Sequence, residues 1–108
     1  MKAFWKPDGM AARELCPGVT GKIAWGEKLM FSVVTLAPDA LVPEHAHPHE
    51  QMGILLSGTM TLTVAGGPHP LAPGEIYLVP GGTPHAAKAG PGGAVALDAF
   101  APPREEYK

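Results

Sequence analysis

The chain carries one cysteine, Cys16, in 108 residues. A lone thiol excludes an intrachain disulfide and any zinc site built on paired cysteines, which leaves an inert, partly buried side chain as its expected role. A basic stripe is missing too. The eight Lys and Arg are scattered from Lys2 to Lys108 and the formal charge is −2. Nothing in that pattern neutralises a phosphate backbone, so nucleic acid is not an expected partner. No apolar run approaches membrane-spanning length, and the opening MKAFWKPDGM lacks the apolar stretch of a signal peptide. The expectation is a soluble, cytoplasmic protein with no membrane partner. Helical periodicity is also missing: no window sustains an apolar stripe, and Glu27 to Leu36 has too many β-branched residues and no cap.

Turn formers, by contrast, are plentiful. The 14 glycines and 13 prolines make up a quarter of the chain and fall between short apolar runs, as turn punctuation does. GKIAW (21–25) and KLMFSVVTLA (28–37) read as strands, the second stopping at Pro38-Asp39. In TMTLTVAGG (59–67), Met60, Leu62 and Val64 alternate with threonines, which predicts one buried and one polar face. In the short strand within PGEIYLVPGGTPH (73–85), Ile76 and Leu78 share one face, Tyr77 and Val79 the other; AVALDAF (94–100) puts Asp98 on the face of Ala96 and Phe100. Residues 1–20 read as irregular. Length and pattern together predict one all-β domain, 1–108, a sandwich or barrel.

The chemistry concentrates in HAHPHEQ (45–51), which holds three of the five histidines. On a strand, His45 and His47 point to one face and Gln51 is in phase with them, whereas Glu50 points away. Such a pair supplies two adjacent metal ligands, and His85, just past a Pro-Gly-Gly turn, is the natural third. Read alone, the pair is equally a polar surface cluster. His49 follows Pro48, which disturbs the pleat, and reads as a neighbour of the site or a solvent-facing side chain. His69 lies in a turn and reads as solvated. Met52 and Met60 read as core; Trp25 and Tyr77 carry donors that could reach a substrate but read as core or interface residues.

Two motifs then carry a family resemblance. Asp39, five residues, His45-x-His47, three residues, Gln51, six residues, Gly58 is the first; Gly74, five residues, Pro80-Gly81-Gly82, two residues, His85, three residues, Ala89 is the second. At these spacings the chain resembles the cupins, with the motif-bearing core at 39–89, and the resemblance implies a double-stranded β-helix, or jelly-roll, barrel. It implies a divalent transition metal (Ni, Zn, Fe, Mn or Co) on His45, His47, Gln51 and His85. Three positions depart from the motifs. Asp39 replaces a turn glycine and tolerates positive φ. Ala89 replaces an asparagine, a structural loss. Gln51 replaces a glutamate; it either ligates through a neutral oxygen, leaving a more electron-poor cation, or hydrogen-bonds nearby while three histidines and water hold the metal.

The last segment, LDAFAPPREEYK (97–108), with HAHPHEQ, resembles a small cupin group that includes the pectin-degradation protein linearising 4,5-unsaturated uronates. That likeness implies that Asp98, Phe100 and Arg104 line the pocket beside the metal. Asp98 would move a proton and Arg104 would hold a substrate carboxylate in a two-pronged grip. The expected activity is ring opening of a small anionic sugar-derived substrate. An Fe(II) dioxygenase and a non-catalytic module that binds metal or a small molecule stand as alternatives. Cupins of this size are commonly homodimers, so a second copy is the expected protein partner.

Overall fold

The computed structural model describes residues 2–108. Eight strands are present: β1 Arg13–Cys16, β2 Val19–Trp25, β3 Met30–Leu36, β4 Leu41–His45, β5 Glu50–Val64, β6 Gly67–Leu71, β7 Ile76–Val79 and β8 His85–Ala101. All pairings are antiparallel, in the order β1-β2-β3-β8-β5-β6, with β4 added on β8 and β7 on β5. Among the described residues the only helical pieces are two single 3₁₀ turns, Pro7–Gly9 and Glu105–Tyr107.

Two of these strands are longer than the sequence reading expected. QMGILLSG and TMTLTV join into β5, and the glycine-rich run 90–93 lies inside β8 instead of separating two strands. The pair stays in register from Glu50↔Ala101 to Val64↔His85, interrupted by bulges near Leu55–Ser57 and Gly58–Met60. Bulges bend and twist a ladder without ending it. The bent ribbon folds over, so that Gln51 and Phe100 from one end reach the same mouth as His85 from the other. This is the jelly-roll barrel. Residues 1–20 are not wholly irregular, since β1 and the start of β2 fall within them.

Alternation decides which side chains turn inward. On β3, Met30, Ser32, Val34 and Leu36 are buried; on β8, Ala94, Ala96, Asp98 and Phe100 are. Met60 and Leu62 are buried as their alternation predicted, and Val64 packs partly buried against the same core. Tyr77 and Val79 point inward and Ile76 and Leu78 outward. Met52 departs from expectation and lies on the surface; Trp25 is exposed as well, which sets aside its core role. Met52 belongs to an outward-facing row, Phe31–Ala99–Met52–Leu78, that crosses β3, β8, β5 and β7 in register. The row beside it, Val33–Leu97–Ile54–Ile76, is apolar as well. These two adjacent rows therefore carry no charge across four strands.

Candidate metal centre

His45 ends β4 and sits directly opposite His85, the first residue of β8. His47 lies beyond β4 in the loop to β5, so period-two alternation is not what brings it to His45. The loop is held instead by the Gly82 N–H, which donates to the His47 carbonyl at 2.8 Å. Gly81 lets the two loops touch, because a Cβ there would collide with the Pro48 carbonyl oxygen. The Pro-Gly-Gly turn thus aims His85 and also fixes the loop that carries His47. The structure brings the three rings together: one ligating nitrogen from each lies within 4.8 Å of the others. His45 and His85 have ring centroids 4.2 Å apart, and His47 and His85 4.9 Å.

Each ring is held by a main-chain carbonyl at Nδ1: His45 by Pro43 at 2.9 Å, His47 by His49 at 3.1 Å, His85 by Thr83 at 2.8 Å. A carbonyl only accepts, so each Nδ1 carries the proton and each neutral ring keeps a bare lone pair at Nε2. Burial, aided by the charge of Arg104, lowers the His47 pKa to about 4; burial lowers that of His85 as well. The His85 Nε2 is buried with no hydrogen-bond partner. His47 Nε2 faces another lone pair, the Gln51 Oε1, at 3.0 Å. Two acceptors in contact and an orphaned third ring nitrogen repel one another unless a cation sits among them. The donor set therefore fits a divalent transition metal held by His45, His47, His85 and the Gln51 oxygen.

Behind Gln51, Asp98 is buried on β8. Burial raises its pKa to about 6, against the lowering effect of hydrogen bonds from Tyr77 and Gln51 and of the Arg104 charge. The Tyr77 hydroxyl donates to Asp98 Oδ1 at 2.5 Å. Tyr77 and Asp98 lie on β7 and β8, with Gly53 of β5 between them in register. No side chain rises from Gly53, so the tyrosine spans the middle strand. Burial, then the charge of Asp98, pushes the Tyr77 pKa far up, so it remains an O–H donor. Reading Tyr77 as core overlooked this. Its signal was the pairing of a buried hydroxyl with a buried carboxylate on a non-adjacent strand, which needs the register to be seen.

Arg104 is buried beyond the end of β8 and stacks on Tyr107, its guanidinium carbon 4.0 Å from that ring centroid and 5.3 Å from that of Phe100. Its Nε and Nη2 both donate to Glu106 Oε1, at 3.0 and 2.8 Å, and Nη1 donates to the Tyr107 hydroxyl at 3.0 Å. The expected free fork is therefore occupied by a neighbouring carboxylate. Glu106 is more than half exposed, so this pair is open to competition from an incoming anion. Arg13 on β1 ties down the same tail by donating to the Glu106 and Lys108 carbonyls at 2.6 and 3.0 Å. His45, Gln51, His85, Asp98, Phe100 and Arg104 all line one cavity of about 460 Å³. His49 is partly buried beside His47, at 5.4 Å between ring centroids, and supplies the carbonyl that orients it. His69 is exposed near Glu75, away from the cluster. Cys16 is partly buried at the cavity wall.

An antiparallel jelly-roll with three histidines, from the end of β4, the β4–β5 loop and the start of β8, at its mouth defines a metal-binding β-barrel class, and the sequence matches the cupin domain family over residues 32–100. The chain belongs to the cupin family. Its fold and size are similar to KdgF from Halomonas sp., at 26% identity and TM-score 0.92 with all of both chains covered. It is also similar to an RmlC-like cupin from Shewanella frigidimarina, at 24% identity and TM-score 0.93, covering 100% of this chain and 97% of that one. The Cnp3 cupin domain of Schizosaccharomyces pombe shares the fold at 14% identity and TM-score 0.81, over 93% of this chain and 74% of its own. Among curated proteins no sequence match is found. No helix among the described residues is long and apolar enough to cross a membrane.

Proposed function

We propose that this cupin is a metal-dependent isomerase that opens the ring of a small anionic sugar, a 4,5-unsaturated uronate. The observation that carries this reading is one cavity with His45 and His85 of the histidine cluster, a buried carboxylate and a buried guanidinium on its walls. The resemblance of residues 97–108 to the uronate-linearising group and the structural likeness to KdgF support it. A divalent cation on His45, His47, Gln51 and His85 supplies Lewis acidity toward a substrate oxygen. Arg104 binds the substrate carboxylate by exchanging Glu106 for it. Phe100 and the apolar wall keep water from the ring. Asp98 takes the proton from the anomeric hydroxyl as the C1–O5 bond breaks, leaving an aldehyde at C1 and an enolate at C5, and returns the proton to C4 as the enolate becomes a ketone. The reaction rearranges bonds and needs no co-reactant. Its raised pKa suits Asp98 to both transfers near neutral pH.

Purified protein loaded with one metal at a time, given unsaturated galacturonate with and without oxygen, tests this. Equal turnover in both atmospheres is expected, with loss of at least about 100-fold in kcat/KM for Asp98→Ala and Arg104→Ala. Unchanged turnover in either variant refutes the assignment. Consumption that stops without oxygen would point to a dioxygenase, and metal binding without turnover to a binding module.

These two uncharged rows are proposed as the contact between two copies of the chain. They bring four large apolar side chains, Phe31, Met52, Ile76 and Leu78, to the surface in one contiguous patch, each roughly half exposed or more, and such a patch marks a protein–protein contact. A Phe31→Glu/Ile76→Glu variant should run as a folded monomer in light scattering where the wild type runs as a dimer. A monomeric wild type would refute this face as a dimer contact.

A further inference from the structure

Gln51 is the one member of the ligand set that can face the metal in two ways. Its amide ends in an acceptor on one side and donors on the other; Oε1 lies 3.0 Å from His47 Nε2, and Asp98 is its diagonal neighbour across the β5–β8 pair on the same cavity wall. Flipping the amide costs no change of shape. Whether it presents an oxygen or an NH₂ to the histidines is therefore decided by what stands at its far end.

Asp98 stands there, and its own orientation is fixed. A carboxylate only accepts, and Tyr77 donates to Oδ1 at 2.5 Å. The Tyr77 ring reaches it only because Gly53, paired with both residues, has no side chain: a Cβ there would overlap Asp98 Oδ1 and lie 2.5 Å from the Tyr77 hydroxyl. With Asp98 as an acceptor, the amide is favoured with its NH₂ toward Asp98, the orientation in which Oε1 lies 3.0 Å from His47 Nε2. The flipped amide would set oxygen against carboxylate and point N–H groups at the lone pairs that are to receive a cation. We propose that Asp98, anchored by Tyr77 across the gap at Gly53, is the positioning residue that makes the Gln51 oxygen a metal ligand. The proposal rests on the metal-centre part of the functional reading and is independent of the uronate reaction.

The test exchanges acid and amide. In Asp98→Asn the new amide accepts from Tyr77 and presents NH₂ to Gln51, whose oxygen then turns away from the histidines. Cobalt(II) affinity, measured above neutral pH by competition with a chromophoric chelator, should fall about 10- to 100-fold. Adding Gln51→Glu restores an oxygen, because a carboxylate presents one to each neighbour whichever way it turns. The Asp98→Asn/Gln51→Glu double variant should bind cobalt within about threefold of wild type, and its visible d–d absorption should return toward the wild-type shape. Tyr77→Phe, which keeps the carboxylate and loses only its anchor, should weaken cobalt binding several-fold and alter the same absorption. Circular dichroism identifies variants that fail to fold, and the Tyr77→Phe arm then carries the test. Wild-type affinity in Asp98→Asn, no recovery in the double variant, or an unaltered Tyr77→Phe would each overturn the proposal. Turnover separates the two ideas: a double variant that recovers cobalt but stays inactive supports orientation by Asp98 and its proton role alike. A wild type without turnover removes the uronate reading and leaves the cobalt comparisons to decide this one.

Discussion

Replacing Gly53 by alanine puts two physical effects in direct opposition. Glycine inside a strand is ordinarily a weakness, and alanine there should stabilise by about 0.5–1 kcal/mol through the unfolded chain alone. At this position the added methyl meets Asp98 Oδ1 and the Tyr77 hydroxyl on two flanking strands. Neither can retreat far, since Tyr77 and Asp98 are buried and bonded to each other. Overpacking of this kind costs about 1–3 kcal/mol. Displacing a hydroxyl from a buried carboxylate costs about 1.5–3 kcal/mol more. Steric cost exceeds the propensity gain, for a net loss of about 1.5–5.5 kcal/mol. Melting of the metal-free protein should drop by on the order of 10–20 °C, with urea midpoints confirming the sign. In a Tyr77→Phe background part of the clash is gone, so Gly53→Ala should cost less there than in wild type, a coupling readable from a double-mutant cycle. A Gly53→Ala protein that melts at or above the wild-type temperature would refute the spanning-tyrosine argument.

Three further outcomes follow from the site. In metal-free protein, His47 is held near 4, below its unfolded value, so the unfolded chain binds more protons and stability rises with pH from about 4 to 6.5. Asp98 is raised to about 6 and contributes the opposite slope over an overlapping window; Asp98→Asn removes that offset, and a melting-versus-pH curve with chelator present should steepen in this range. Glu106→Gln releases the Arg104 fork and should lower KM for a uronate about two- to fivefold with little change in kcat; an unchanged KM would show that Glu106 is not displaced. Arg13→Ala removes both ties on the C-terminal turn, so amide exchange should accelerate at residues 105–108, and protection equal to wild type would contradict its anchoring role.

The sequence displayed the strands and most of the ligands because both depend on local pattern. Alternation at 59–64 predicted which face is buried and that at 94–100 which residues share a face with Asp98, and φ at Asp39 is 60°, as its turn role required. Less visible were features set by pairing between distant segments. Gly53 read as an unremarked residue in an apolar run until its partners, Tyr77 and Asp98, were known from the register. Arg104 was placed beside the metal through family likeness, yet nothing in the pattern of the tail marks Glu106, two residues on, as its partner. Continuity of β5 through Gly58 was hidden because a bulge and a strand end share the same glycine signal.

The carbonyls that set the three histidine tautomers belong to the backbone at Pro43, His49 and Thr83. A side-chain acceptor can be lost in a single codon change; these cannot, so long as the chain keeps its path. Residues flanking the ligands are thereby free to vary over evolutionary time without altering which nitrogen is bare. The instruction that readies the histidines is written in chain geometry, and a comparison of side chains between homologues would miss it.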